Sequence, residues 1–348
     1  MARNEIKTPL ILEIKGNSLD DGPGIRSVVF FKGCPLSCVW CHNPESKNTS
    51  MEISFDAKVC IDCGACRNVC PLNALSHENR FYIDRSKCDL CFLCVDACPS
   101  GALDRVGKIM SVDDIFKKIL PDKPFFDTSN GGVTLSGGEP SLYMDFTSRL
   151  LKLFKQHNIH TLLETCGYFD LKKFMDMLYP YLDTIYFDIK IMDSTNHKKY
   201  CGLSNEKILE NFIQISNTVK SDGGALPAGA GGSFQKRDIP RLAESIQPPG
   251  GAGGFLQRGK ILLPRIPLIP DITDTEINIR EIASFLKGLN IVEAALLSYN
   301  PLWHEKSDKV GVEDPYKKSK VMTSFPDSAI GERCRAIFAQ AGITETNS

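Results

Sequence analysis

The sequence predicts an α/β protein built on a parallel sheet, with a small cysteine-rich module inserted near its N-terminus. Three observations lead there. From Gly132 onward, short runs of apolar and β-branched residues alternate with helical stretches, the pattern of strands joined by helical crossovers. Ser27–Phe31 is a continuous apolar run bounded by glycine, as expected of a buried parallel strand. Between Cys60 and Cys98 this pattern stops and closely spaced cysteines replace it. A chain of 348 residues accommodates one large domain with a small insert, and 42% hydrophobic with 24% charged residues suffices for a sizeable core.

In chain order, Leu10–Ile14 precedes Asp21-Gly22-Pro23-Gly24, a turn in which glycine permits positive φ and proline fixes its own. Ser27–Phe31 then feeds the stretch Gly33–Pro44. Beyond the cysteines, Ser111-Val112-Asp113-Asp114 reads as a capping box opening a helix Val112–Leu120 that Pro121 closes. Strand Gly132–Ser136 ends in Gly137-Gly138-Glu139-Pro140, where paired glycines let backbone approach a ligand. A helix over Leu142–Gln156 leads to strand His160–Thr165, and a helix over Leu171–Leu178 to strand Thr184–Lys190. A third helix covers Glu206–Lys220. Asp222–Lys260 holds ten of the 27 glycines and four prolines, a composition expected to form a flexible loop. Strand Ile261–Pro267 follows, its prolines suggesting an edge or irregular position. The last elements are a helix Asp274–Leu289 capped by Thr273 and a strand Ala294–Ser298.

Bulk properties exclude several classes. A net charge of −1 leaves no electrostatic footprint for nucleic acid or an anionic membrane surface. No apolar signal segment opens the chain and no eighteen apolar residues run together, so a soluble cytoplasmic protein is expected. Eleven of the 14 cysteines fall between Cys34 and Cys98 in metal-type spacings, which argues for ligands in a reducing compartment rather than disulfides. Cys166, Cys201 and Cys334 have no such spacing and read as buried thiols.

Cys34, Cys38 and Cys41 are spaced C-x3-C-x2-C, with no fourth cysteine in that loop. An iron–sulfur cube takes four ligands, so one held by three thiolates keeps an iron open, as an open position marks catalytic zinc. A zinc loop is the competing reading, but zinc knuckles come as paired C-x2-C and only one is present. Cys60, Cys63, Cys66, Cys70-Pro71 and then Cys88, Cys91, Cys94, Cys98-Pro99 each spell C-x2-C-x2-C-x3-C-P, the two-cluster ferredoxin run in which each fourth cysteine serves the other cluster. One cluster is therefore assigned to Cys60, Cys63, Cys66 and Cys98, the other to Cys88, Cys91, Cys94 and Cys70. A short strand Phe81–Asp84 is expected between the runs. Fully ligated by protein, these clusters pass electrons.

The three-cysteine loop resembles the signature of the radical S-adenosylmethionine (SAM) superfamily, and Asp21-Gly22-Pro23-Gly24-x-Arg26 ahead of it is similar to the glycyl-radical-enzyme activases. That resemblance implies a partial (β/α)6 barrel with an inserted two-cluster ferredoxin-like α+β domain. It places the barrel in 1–55 and 107–348 and the insert in 56–106. It implies three [4Fe-4S] clusters and SAM as cofactors, and Cys34, Cys38 and Cys41 as the catalytic ligands. Gly137-Gly138-Glu139 matches the motif whose backbone holds the methionyl amino group. Trp40 and His42 beside the ligand Cys41 would lie at the cofactor, Trp40 against adenine or in ordinary packing. Asp188-Ile189-Lys190 would meet the SAM carboxylate and ribose, or Asp188 and Lys190 simply pair; Glu164 would face the cofactor or a cation, and Arg265 would contact the cofactor. Asn300 stands where the family often has a histidine, with His304 nearby as its substitute. The implied reaction takes an electron from flavodoxin or ferredoxin, cleaves SAM and removes hydrogen from a glycine of a partner glycyl radical enzyme, the activase being a monomer. A radical SAM enzyme of a small molecule or peptide, and a plain electron-transfer protein, are the alternatives.

Overall fold

The computed structural model describes residues 8–224 and 259–346. The chain starts with a hairpin, β1 (Leu10–Ser18) antiparallel to β2 (Arg26–Lys32), and β2 is the first of the parallel strands. After the insert come β5 (Lys108–Ile109), α3 (Val112–Ile119) and α4 (Lys123–Ser129), then an alternation. It runs β6 (Gly132–Gly137), α5 (Met144–Gln156), β7 (His160–Thr165), α6 (Leu171–Met177), β8 (Thr184–Asp188), α7 (Ser194–Cys201) and α8 (Glu206–Ser221). The chain closes with β9 (Ile261–Leu268), α9 (Glu276–Gly288), β10 (Glu293–Ser298), α10 (Trp303–Val310), α11 (Ser328–Gln340) and β11 (Thr344–Glu345). The sheet order is β11-β10-β9-β8-β7-β6-β2-β1-β5, so β2 and β6 to β10 form six consecutive parallel strands. Among the described residues, the first and last strands of that order do not pair with each other.

Alternation along the strands builds two apolar layers. Val133, Leu135, Leu163, Ile185, Phe187, Leu262 and Ile266 join the helices in the main core, while Leu162, Tyr186, Leu263 and Ala295 form a separate cluster on the other face. The expected capping box is present: Ser111 accepts from the Asp114 amide and Asp114 reaches back. Below the sheet, Arg26 is wholly buried and donates to Thr134 Oγ1 at 2.6 Å, Val133 O at 2.7 Å and Pro23 O at 3.1 Å, which clamps the Asp-Gly-Pro-Gly turn to β6.

Two local expectations are corrected. β9 is an interior strand despite Pro264 and Pro267, because a parallel strand shares its N–H groups between two neighbours and a proline forfeits only one bond. The α9 cap is Thr275, which accepts from Asn278; Thr273 instead bonds to Pro267 O and Ile269 N in the turn before it. Most of the Gly/Pro-rich stretch expected as a loop over 222–260 lies outside the described residues. Among those described, no helix is long and apolar enough to cross a membrane.

The cysteine-rich segment is closed at its base by β3 (Glu52–Phe55), which pairs antiparallel with β4 (Leu103–Val106). Two short helices, α1 (Ala65–Val69) and α2 (Leu93–Asp96), pack on Ile53, Leu75, Tyr82, Ile83 and Leu103. The strand expected at Phe81–Asp84 reduces to an isolated bridge between Leu75 and Ile83, because Tyr82 turns to φ +65°. Lys32, fully buried at the end of β2, pairs with Glu52 at 2.5 Å and ties the large sheet to the β3–β4 pair. The bridges Lys58–Glu305 and Arg80–Glu313 to the α10 region are exposed and contribute little.

His160 supplies a pH-dependent term. Burial first, then the Arg26 charge 3.3 Å away, lower its pKa to about 4. An unfolded histidine titrates at about 6.5. Between those values the unfolded chain binds a proton that the native chain refuses, so stability is complete above the window and declines as pH falls through it. The expected slope from this residue is at most about 1.4 kcal/mol per pH unit. Denaturant titrations at pH 7.5, 6 and 5 should show it, and His160→Gln should remove that part; an unchanged slope refutes the assignment.

Candidate active site at the strand ends

The cysteine loop leaves the C-terminal end of β2. Its backbone is closed by Gly33 N to Ser46 O at 2.6 Å and Cys34 N to Lys47 O at 3.1 Å, and Tyr143 Oη donates to Lys32 O at 2.7 Å just ahead of it. Cys38 is buried, and Cys34 and Cys41 are partly so. Trp40 is buried in the main core with Leu36 and Cys38, as ordinary packing requires.

At the end of β6 the paired glycines lie against this loop: Gly138 N donates to Phe31 O and Glu139 N to Gly33 O, both at 2.8 Å. The side chain of Glu139 is committed within the fold. Its wholly buried carboxylate accepts from Ser141 N, Ser141 Oγ, Thr165 Oγ1 and Cys166 N at 2.6 to 3.1 Å, so its side chain braces β6 to β7 and does not face a ligand. Only the backbone of Gly137-Gly138-Glu139 is left for that. Ile189 likewise sends its side chain into the main core, while its amide donates to Arg265 O at 2.9 Å.

Glu164, Asp188, Lys190 and Arg265 come together as one ring of charges across the ends of β7, β8 and β9. Arg265 Nη1 donates to Glu164 at 2.5 Å and its Nη2 lies 3.0 Å from Asp188, whose other oxygen accepts from Lys190 at 2.8 Å. The second Glu164 oxygen accepts from Ser136 Oγ at 2.5 Å, and the Arg265 guanidinium lies over the Tyr186 ring. Burial works against the charges of Asp188, Lys190 and Arg265, but attraction between opposite charges wins: Asp188 is held below the usual carboxylate range, and Lys190 and Arg265 are pushed up. Asp188 and Lys190 therefore do pair, within a larger network. Ser136 and Tyr186 were not signalled by any motif; their register on strands ending at the site places them there.

Of the two histidines, His42 is the one at the ring. Burial, followed by the nearby charges of Lys306 and Lys190, lowers its pKa to about 4, so it is neutral at physiological pH. His304 corrects an expectation: Nδ1 meets Asp314 at 2.5 Å, Nε2 meets Met322 O at 2.6 Å, and the ring stacks on Trp303. With both nitrogens committed, it buttresses α10. Asn300 is exposed and its side chain accepts from Leu302 N at 3.0 Å.

In the insert, Cys60, Cys63, Cys66 and Cys98 line one small apolar cavity with Tyr82 and Phe55, and Cys70, Cys88, Cys91 and Cys94 line another with Ile53 and Phe92. These are the two crossed sets. Tyr82 Oη lies 3.1 Å from the Cys66 sulfur, and Phe55 stacks on its ring. Among the described residues no three His, Cys, Asp or Glu side chains close on the space of a single ion; the thiols surround hollows instead.

The sequence profile of the Radical SAM superfamily matches residues 28–221, from within β2 to the end of α8. The chain belongs to the radical SAM superfamily. Its relatives narrow the branch. It is 32% identical to the isethionate sulfite-lyase activating enzyme of Nitratidesulfovibrio vulgaris over 96% of both chains. It is 35% identical to the (2S)-3-sulfopropanediol dehydratase activating enzyme of Klebsiella oxytoca, covering 91% of this chain and 90% of that one. It is also 35% identical to the trans-4-hydroxy-L-proline dehydratase activating enzyme of Clostridioides difficile over 89% of both. This radical SAM protein is thus a member of the glycyl-radical-enzyme activating enzymes.

Proposed function

We propose that this radical SAM protein generates the glycyl radical of a partner enzyme by reductive cleavage of SAM. The observation that carries this reading is the three-thiol loop of Cys34, Cys38 and Cys41 held beside the ring of Glu164, Asp188, Lys190 and Arg265. When bound there, a [4Fe-4S] cluster supplies the electron that splits SAM into methionine and a 5′-deoxyadenosyl radical, which takes one hydrogen from the partner's glycine.

The chain's residues supply position and charge. Cys34, Cys38 and Cys41 would leave one iron open for the amino and carboxylate groups of SAM. Lys190 and Arg265 offer permanent positive charge to the carboxylate, and the backbone of Gly137-Gly138-Glu139 offers carbonyls to the ammonium. Asp188 keeps Lys190 aimed and serves the ribose side. His42, neutral beside Lys190, adds no charge against the sulfonium. The buried floor of Tyr186 and the strands keeps water away.

The insert is read as an electron conduit with one [4Fe-4S] cluster on Cys60, Cys63, Cys66 and Cys98 and another on Cys70, Cys88, Cys91 and Cys94. What supports it is the crossed sharing of the two cavities. A flavodoxin or ferredoxin would charge it, in the cytoplasm of an anaerobic cell, with the activase acting as a monomer. Reconstituted anaerobically and given SAM with dithionite, the protein should form 5′-deoxyadenosine. With the glycyl radical enzyme it serves, a doublet should appear in the electron paramagnetic resonance (EPR) spectrum. Uncleaved SAM under those conditions rejects the reading, and cleavage without a glycyl doublet points to a small-molecule substrate.

A further inference from the structure

The two cysteine sets between Cys60 and Cys98 are not built alike. Each receives one backbone amide, Asp62 N on the Cys60 sulfur at 3.4 Å and Ala74 N on the Cys70 sulfur at 3.3 Å. Side-chain hydroxyls meet only the first set among the described residues: Tyr82 Oη lies 3.1 Å from the Cys66 sulfur, and Ser100 Oγ 3.7 Å from that of Cys98. The Tyr82 contact is closely fixed. Its ring is buried and stacked on Phe55, with centroids 4.1 Å apart and planes 18° from parallel, and the His77 ring lies 4.9 Å away. Backbone bonds from Tyr82 N to Asn79 O and from Ser76 N to Tyr82 O, both at 2.9 Å, hold the residue at φ +65°. A tyrosine in that left-handed region is strained, and such strain is found where the surroundings aim a group at a functional site. Phe55 and Tyr82 also line the cleft between this segment and Glu305, Asp308 and Lys309 of α10, which no residue lining the second cavity reaches. The first set therefore lies on the α10 side.

We propose that Tyr82, seconded by Ser100, is a positioning residue whose hydroxyl donates to an iron-bound cysteine sulfur, making the cluster on Cys60, Cys63, Cys66 and Cys98 the easier of the two to reduce. An iron-bound thiolate has no proton to give, so the hydroxyl is the donor. A donor to a ligand sulfur draws off negative charge and favours the reduced cluster, and hydrogen bonds to sulfur are among the determinants of cluster potential. One electron delivered to the second cluster by the donor protein then passes to the first. The second is reoxidised, the first is reduced, and the charge comes to rest on the side facing α10. This inference rests on the reading that the cysteine-rich segment holds two clusters.

The test is an EPR-monitored redox titration of the reconstituted holoenzyme, following the signal components that do not change when SAM is added. In the wild type these should titrate in two steps. In Tyr82→Phe, which keeps the ring and loses only the hydroxyl, the higher step should move down and the lower should stay. At a fixed potential the ratio of reduced to oxidised first cluster should fall about tenfold, equivalent to 59 mV for a one-electron couple. Tyr181→Phe, just ahead of β8, should change neither step. Ser100→Ala makes the same test through Cys98 if Tyr82→Phe fails to load iron. Wild-type midpoints at full iron content in the variant read overturn the proposal, as do a shift of the lower step or a single step in the wild type. A wild-type protein that loads only the SAM-responsive cluster would instead overturn the reading beneath it, before any variant is made.

Discussion

Arg265→Met is expected to abolish SAM cleavage and to cost the fold about 3–5 kcal/mol, the usual penalty for removing one partner of a buried ion pair. Arg265 stands between two carboxylates. Without it Asp188 keeps Lys190, but Glu164 retains only the Ser136 hydroxyl in a site with little water. The double variant Arg265→Met/Glu164→Gln removes the stranded charge as well, and should regain most of the stability with none of the cleavage. Urea unfolding and 5′-deoxyadenosine formation separate the two effects. A single variant that cleaves SAM within tenfold of wild type would show that the ring is scaffolding and not the bed of the cofactor.

Gly138→Ala should be nearly as damaging by a different route. A Cβ at this position would lie 2.2 Å from the Gly33 carbonyl oxygen, a backbone atom with nowhere to go because Gly33 also bonds to Ser46 and Glu139. Relief requires moving the residue next to Cys34 away from the end of β6. The expected result is about 1–3 kcal/mol of lost stability and an iron content short by one cluster after reconstitution. Gly288→Ala, at the end of α9 with open space around its Cβ, is the control and should load fully. Full iron content in Gly138→Ala would mean that the loop tolerates the shift.

The two cases show which parts of the site can be read from residues alone. The spacing of Cys34, Cys38 and Cys41 and the order of the strands are local patterns, and they carried over to the fold. The commitment of the His304 ring did not, because whether a polar side chain turns to a cavity or into the frame depends on partners such as Asp314 and Met322, ten and eighteen residues further along the chain. The helices α7, α10 and α11 escaped notice for a related reason. Ser194–Cys201 buries only His197 and Cys201, so it has no apolar stripe to display, and its formation relies on the Asp193 cap and on docking against the cysteine loop. The strand expected at Phe81–Asp84 failed because the conformation of Tyr82 answers to the packing of its ring on Phe55, which propensity cannot foresee.

The sheet that never closes has a bearing on what this enzyme can accept. A small metabolite could be swallowed through the mouth of a sealed cylinder. A glycine within another protein cannot, since peptide leads away from it in both directions. Among the described residues the margins at β5 and β11 do not pair with each other. A strand of foreign backbone brought to the edge of an open sheet keeps both of its legs outside, so one residue can approach the reactive centre without being threaded.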